Sequence, residues 1–238
     1  MADFSKDIEL LFSERGGIFK SSSSEIQNKL FNIKALLFDW DGVFNNGVKN
    51  GAEGSLFSEV DSMGINMLRF SYYLKYGVIL PVFIITGENN QPALRLSDRE
   101  HFNGVYIKMP QKLNAIDHLA QNFSIHHSDI GFIFDDVLDL GVADIVSLRF
   151  FVKRESNPLL NDLIENQSLA EYYTFNSGAT NAVREICELS IGLIGNYTDT
   201  INQRKEFSPL YKAYLTARNA IVTKKFRGNK GVIEPISL

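Results

Sequence analysis

The chain has 238 residues, of which 45% are hydrophobic and 22% are charged, and its formal net charge is -4 at pH 7. A chain of this length can bury a full hydrophobic core, and its acidic balance excludes a general attraction to nucleic acid or anionic lipid. Its single cysteine, Cys187, cannot form an internal disulfide, and its apolar runs fall far short of the ~20 residues that a membrane span needs. We therefore expect a cytoplasmic protein whose partner is a small molecule, with no nucleic-acid or membrane partner.

The N-terminal segment predicts a helical extension in front of the main domain. Ser22 lies three residues before Glu25, which is the spacing of a capping box at the start of a helix. Together with the preceding Gly16-Gly17 pair, this spacing predicts two short helices around a loop. We divide the chain into an extension (1–32), a main domain (33–195) and a C-terminal helix with a tail (196–238).

Short apolar runs alternate with longer helical stretches through the main domain. The runs predict buried parallel strands at Ala35 to Phe38, Val82 to Ile85, Val105 to Ile107, Ile130 to Phe134 and Leu148 to Val152. The stretches predict helices at Ile65 to Lys75, Gln91 to Phe102, Gln111 to Phe123, Asn157 to Gln167 and Thr180 to Ile194, with a short piece after Leu138. Repeated alternation of this kind predicts an α/β fold with a doubly wound parallel sheet, whose ligands bind at the carboxyl ends of the strands.

Two segments outside this alternation carry their own predictions. Turn residues at Asn45-Asn46-Gly47 and Asn50-Gly51, with apolar residues on either side, predict a β-hairpin flap over Val43 to Val60. Near the end of the chain, an amphipathic pattern predicts a helix from about Ser208 to Lys225. The basic residues around Lys225 then read as a solvated helix end.

The first strand ends in two carboxylates, Asp39 and Asp41, followed by Gly42. Because side chains alternate along a strand, residues two apart start on the same side. A carboxylate can attack phosphorus, and a second one can protonate the leaving group and later activate water. These residues predict Asp39 as a nucleophile and Asp41 as a general acid and base, although such a pair also occurs at turns and at plain metal sites.

Two further residues lie where a phosphoryl group would need donors. Thr86 and Gly87 end the second strand, so the Thr86 hydroxyl and the Gly87 backbone could approach a phosphoryl oxygen. Lys112 begins the next helix, where its ammonium and the helix N-terminus could both face negative charge. Each signal is weak alone, and their order along the chain gives them weight.

Another buried strand runs into an acidic loop that contains Asp135, Asp136 and Asp139. Clustered carboxylates repel one another unless a cation lies among them, and magnesium prefers oxygen ligands and bridges to phosphate. We predict Mg²⁺ held by Asp39, Asp135 and the backbone carbonyl of Asp41. Asp139 is predicted as an outer or alternate ligand.

These four motifs, in this chain order, resemble those of the haloacid dehalogenase superfamily, and they cover about residues 33–195. The resemblance implies a Rossmann-like core without a separate cap domain, an aspartyl-phosphate intermediate and, because Asp41 is present, phosphatase activity. The stretch Gly178 to Glu185 is also similar to a C-terminal motif of the 3-deoxy-D-manno-octulosonate 8-phosphate phosphatases and related sugar-acid phosphatases. That family implies a small phosphorylated sugar acid as the substrate and a homotetramer in which a neighbouring subunit covers the open site.

The chain departs from that family at positions where positive charge is usual. Val60 and Glu88 stand where the family has arginines, which should disfavour a doubly anionic substrate. A catalytically weak member that serves as an oligomeric binding or scaffold subunit is therefore an alternative. A signalling receiver domain uses similar residues, but its acid pair and its phosphoacceptor stand in a different chain order.

Overall fold

The strands of the structure form one mixed sheet. The structure is a computed structural model that describes residues 4–236. Within that range the strands are β1 (Ile18–Phe19), β2 (Ala35–Asp39), β3 (Val82–Ile85), β4 (Gly104–Ile107), β5 (Ile130–Phe134), β6 (Leu148–Phe151), β7 (Tyr172–Tyr173), β8 (Lys224–Asn229) and β9 (Val232–Pro235). They are ordered β1-β7-β6-β5-β2-β3-β4-β8-β9. The run from β7 to β8 is parallel, and only the outer pairs β1-β7 and β8-β9 are antiparallel.

Helices cover both faces of this sheet, as the alternating pattern predicted. They are α1 (Phe4–Ser13), α2 (Ser23–Asn32), α3 (Glu59–Tyr76), α4 (Gln91–Arg99), α5 (Lys112–Phe123), α6 (Leu140–Ala143), α7 (Pro158–Gln167), α8 (Ala182–Ile194), α9 (Tyr197–Lys205) and α10 (Pro209–Asn219). On one face, helices α1, α2, α3, α4 and α8 pack on the sheet in one apolar core. On the opposite face, helices α5, α6 and α7 pack on it in a second core. The doubly wound α/β fold is thus confirmed, and α3 is longer than predicted because it starts at Glu59. We find no helix among the described residues with the length and apolar content that a bilayer crossing requires.

The N-terminal extension has the predicted helices and an additional strand. The Ser22 hydroxyl accepts a hydrogen bond from the Glu25 amide at 3.3 Å, and the Glu25 carboxylate accepts one from the Ser22 amide at 2.8 Å, which confirms the capping box. Between the two helices, β1 pairs with β7 at the edge of the sheet. The domain division at residues 32 and 195 stays a prediction, and segments on both sides of it contribute strands to one sheet.

The predicted hairpin flap is wrong, because residues 43–58 form turns and a short 3₁₀ turn at Gly51–Glu53. Val43 and Phe44 are consecutive and both buried, so this segment lacks the alternation that a two-faced strand needs. Their amides hydrogen-bond to the Trp40 carbonyl at 3.3 and 3.1 Å, which folds the chain back under the Trp40 ring. The turn residues predicted chain reversals correctly, but the segments between them are not strands.

The predicted C-terminal helix is also wrong beyond Asn219, where α10 ends. The following residues form the hairpin β8-β9, and β8 lies parallel to β4 at the edge of the sheet. Lys225 therefore belongs to a strand and not to a helix end, and its ammonium lies 2.7 Å from the Asp98 carboxylate. Gly228 packs closely on the chain before α5, since an added Cβ would lie 2.2 Å from the Lys108 carbonyl oxygen.

The contact between α3 and α8 includes a buried carboxylate, Asp61. It accepts hydrogen bonds from the Arg184 amide at 2.8 Å and from the Asn181 side chain at 3.2 Å, so it satisfies donors at the start of α8. Burial nevertheless raises the pKa of Asp61 from 3.8 to about 6, against the effect of these hydrogen bonds. The folded chain therefore keeps this proton at a pH where the unfolded chain has lost it.

We expect the stability to fall as the pH rises from about 4 to 6, because ionised Asp61 is penalised only in the folded state; the contribution is about 2 to 3 kcal/mol. The D61N variant should lack this contribution, so its stability relative to wild type should increase over that interval. Urea unfolding at pH 4 and pH 7 measures the difference. The control D162N replaces an exposed aspartate of α7, which loses little hydration on folding. An equal response to pH in both variants would contradict the assignment.

Candidate active site

The structure brings the predicted site residues together at the carboxyl edge of the sheet. Asp39 is the last residue of β2, Thr86 follows β3, and Asp135 follows β5. Lys112 is the first residue of α5, and Asp139 ends the 3₁₀ turn after Asp135. Because β2 lies between β3 and β5, their polar ends converge on Asp39.

Lys112 is buried between two carboxylates. Its ammonium donates to Asp39 Oδ1 at 2.5 Å and also to Asp139 Oδ1. Burial alone would lower the pKa of Lys112, but the two carboxylates outweigh it and raise that pKa above its ordinary value. The lysine thus stays charged and holds Asp39 in a fixed position.

Asp39, Asp135 and Asp139 form an acidic cluster that fits a divalent cation. One carboxylate oxygen from each lies within 4.8 Å of the others, and all three residues are buried. Burial, reinforced by the charge of Asp39, raises the pKa values of Asp135 and Asp139. Neither oxygen of Asp135 accepts a hydrogen bond from the residues that the structure describes, so this buried carboxylate can still accept a further ligand. Magnesium prefers oxygen ligands of this kind.

Arg154 contributes a second cation that the sequence analysis missed. Its guanidinium lies 2.7 Å from Asp135 Oδ2, but without the orientation of a hydrogen bond. Arg154 follows β6, so it too stands near the carboxyl edge of the sheet. Asp39 and Asp135 were predicted from polar residues at or just after the end of a strand. The same signal could have indicated Arg154.

Gly42 makes room for this contact between Arg154 and Asp135. Its φ of +96° lies in the region that favours glycine, and an added Cβ would lie 1.7 Å from Arg154 Nη2 and 2.0 Å from Asp135 Oδ2. Glycine is therefore required at position 42 both by backbone conformation and by space.

Asp41 takes part in a separate polar network and not in the acidic cluster. Its carboxylate accepts hydrogen bonds from Ser55 Oγ at 2.6 Å and from Asn90 Nδ2 at 2.8 Å, and Lys49 Nζ lies 2.6 Å away. The same Asn90 amide group donates to Thr86 Oγ1 at 2.8 Å. Buried Asn90 therefore ties the two predicted residues, Asp41 and Thr86, into one arrangement.

No motif in the sequence points to Ser55, Asn90 or Lys49. Asn90 lies four residues after Thr86 in a polar stretch that reads as an ordinary loop, and only the fold shows that it is buried. Ser55 and Lys49 belong to the segment that was predicted as a hairpin. Without the course of that loop, their side chains could not be assigned to Asp41.

The arrangement can support group transfer to a carboxylate. Asp39 is held by a charged lysine beside a cluster that fits a cation, and a second carboxylate, Asp41, stands two residues away in a partly exposed position. The Thr86 hydroxyl and the cationic side chains of Lys112 and Arg154 can interact with an anion. These are the components that phosphoryl transfer requires.

Comparison with known proteins identifies the family. No protein-family model matches the chain. The chain is 30% identical over 174 residues to the 3-deoxy-D-manno-octulosonate 8-phosphate phosphatase KdsC of Salmonella typhi, a match that spans 70% of this chain and 84% of that protein.

Solved structures show the same relationship. The fold resembles the 3-deoxy-D-manno-octulosonate 8-phosphate phosphatase of Moraxella catarrhalis in complex with magnesium, phosphate and KDO; the TM-score is 0.61 and the identity 25%, over 76% of this chain and 98% of that one. The phosphatase of the same name from Yersinia pestis has a TM-score of 0.57 and 28% identity, over 74% of this chain and 89% of that one. The chain therefore belongs to the 3-deoxy-D-manno-octulosonate 8-phosphate phosphatase family.

Proposed function

We propose that the chain hydrolyses the phosphate monoester of a small sugar acid, such as 3-deoxy-D-manno-octulosonate 8-phosphate, through an aspartyl-phosphate on Asp39 and with Mg²⁺ as cofactor. The observation that carries this proposal is Asp39 itself, held at 2.5 Å by Lys112 at the centre of the acidic cluster. The substrate named for the relatives and the magnesium and phosphate in the Moraxella catarrhalis structure support it.

Asp39 and Asp135 would hold the magnesium ion, together with the backbone carbonyl of Asp41. Asp139 also accepts from Lys112, so we assign it to the outer position that orients the ligands. When bound, the ion offsets the negative charge that otherwise keeps the phosphoryl group away from a carboxylate. The Asp135 carboxylate supports this assignment, because it accepts no hydrogen bond from the described residues.

Asp39 acts as the nucleophile in the first half of the reaction. A carboxylate oxygen forms a bond to phosphorus as the bond from phosphorus to the sugar oxygen breaks. Thr86, the Gly87 backbone and Lys112 bind the phosphoryl oxygens and hold the group in line. Because Lys112 contacts Asp39 directly, it also fixes the attacking residue.

Asp41 moves the protons in both halves. It donates a proton to the departing sugar oxygen, and it then takes a proton from the water that attacks phosphorus and releases phosphate from Asp39. Its hydrogen bonds with Ser55 and Asn90 keep the carboxyl group oriented. The shared contact of Asn90 with Thr86 couples that orientation to the phosphate site.

The D39N variant should lose at least about 1,000-fold in kcat, because the amide cannot form the acyl phosphate. The loss should be large because the uncatalysed hydrolysis of a phosphate monoester is among the slowest known reactions. Phosphate release under saturating substrate measures the loss. Its thermal midpoint, compared with that of wild type, shows whether the variant remains folded. Activity of folded D39N within tenfold of wild type would exclude Asp39 as the nucleophile.

A substrate panel with and without magnesium tests the substrate and the cofactor. We expect phosphate release from a sugar-acid phosphate to exceed release from sugar phosphates and from an aryl phosphate, to stop when EDTA removes the metal and to return with added Mg²⁺. D39N provides the blank. If folded wild-type protein releases phosphate from no ester, the alternative of a binding or scaffold subunit is favoured instead.

We further propose a homotetramer in the cytoplasm, in which a neighbouring subunit covers the site. The partial exposure of the Asp41 side chain and the exposed apolar residues Val137 and Leu138 within the acidic loop support a covered entrance. Light scattering should then give four times the chain mass of 26.9 kDa. A monomeric mass at the concentration of the activity assay would contradict the assembly without affecting the chemistry.

A further inference from the structure

A cavity of about 730 Å³ opens beside the acidic cluster, and we call it the Arg154 cavity. Loops from four parts of the chain line it, with Arg15 from the N-terminal extension, Asn45 after β2, Arg154 after β6 and Thr180 before α8. Its volume lies within the range of roughly 300 to 1,000 Å³ that is typical of small-molecule sites. It is large enough for a sugar acid.

The Arg154 cavity is joined to the catalytic centre through the Arg154 side chain. The guanidinium lines the cavity and also lies 2.7 Å from Asp135 Oδ2 in the acidic cluster. The cavity wall is closely packed, since an added Cβ at Gly178 would lie 2.2 Å from the Gly42 carbonyl oxygen and 2.3 Å from that of Asn45. The cavity and the acidic cluster therefore share the Arg154 side chain, which places a ligand in the cavity next to the catalytic centre.

The charge of the cavity favours an anion. Three cationic side chains line it, Arg15, Lys153 and Arg154, against one acidic side chain, Glu155. Lys153 Nζ is 3.8 Å from a Glu165 oxygen, a distance that leaves it short of a close ion pair. Arg15 donates to the Leu11 carbonyl, a contact that does not neutralise its charge. Such a group of cations can bind a carboxylate.

The two positions where the family resemblance implies arginines, Val60 and Glu88, carry no positive charge. Val60 is 46% exposed at the start of α3, and Glu88 lines a separate cavity with Lys49, which is already paired with Asp41. A second acidic group on the substrate would be repelled by Glu88. The Arg154 cavity offers that group the complementary charge.

We propose that the Arg154 cavity binds the carboxylate-bearing end of the substrate, with Arg15 and Lys153 as specificity-determining residues. The inference rests on the proposed function, because it takes the phosphoryl group to be at Asp39. The ring of Phe175, 38% exposed in the cavity wall, offers an apolar face to the carbon skeleton. The Ser177 hydroxyl also lines the cavity and can bond to a sugar hydroxyl.

The test compares a phosphorylated sugar that carries a carboxylate, 3-deoxy-D-manno-octulosonate 8-phosphate, with one that carries none, mannose 6-phosphate. In the double variant R15Q/K153Q, kcat/KM for the sugar-acid phosphate should fall at least tenfold more than kcat/KM for mannose 6-phosphate, chiefly through KM. The single variant K153R keeps the positive charge, so it should retain most of the selectivity that the single variant K153Q loses. The control K212Q removes an exposed cation of α10 and should leave the ratio unchanged.

Equal losses on both substrates, or no loss, would overturn the inference while Asp39-dependent hydrolysis keeps the proposed function in place. If wild type hydrolyses neither substrate, the proposed function fails, and direct binding then decides the inference. Calorimetry of the free sugar acid 3-deoxy-D-manno-octulosonate with D39N should show binding that weakens at least tenfold when R15Q/K153Q is added. Binding that is absent, or unchanged by the two substitutions, would also overturn the inference.

Discussion

Asp39, Asp135 and Asp139 bring carboxylate oxygens within 4.8 Å of one another in a place that burial shields from water. Their mutual repulsion is strong there, because little solvent screens it. Lys112 offsets part of the charge from α5, and Arg154 offsets another part from beyond β6. The parallel sheet makes this balance possible, since strands that all end at one edge can deliver acids and cations from separate parts of the chain to one point.

The parts of this arrangement that repeat a simple pattern could be predicted from the sequence. Buried parallel strands appear as apolar runs, so Asp39, Thr86 and Asp135 could be placed at strand ends, and Lys112 could be placed at a helix start. The loop over residues 43–58 could not, because Asn45 and Gly47 indicate a turn but not whether the flanking residues pair with each other or pack on the core. The hairpin at the end of the chain was missed because β8 is largely polar and its partner β4 is far away in sequence.

Contacts between loops could not be predicted from the sequence either. Asn90 reaches Asp41 and Thr86 only because the loops after β2 and β3 pack against each other. Arg154 reaches Asp135 through the space that Gly42 leaves free. The chemistry of the family is thus carried by motifs that can be read in order, whereas the charges that select a substrate depend on loops that a single sequence does not position.

The pairing of β8 with β4 has a consequence for the growing chain. Every group assigned to the phosphoryl site, from Asp39 to Asp139, is synthesised well before Lys224, so the catalytic edge can assemble while β4 still has an open side. An open strand edge readily pairs with other chains. The nascent protein therefore carries an open β4 edge, which can pair with other chains, from the synthesis of Ile107 until that of Arg227, its partner in the register of the finished sheet.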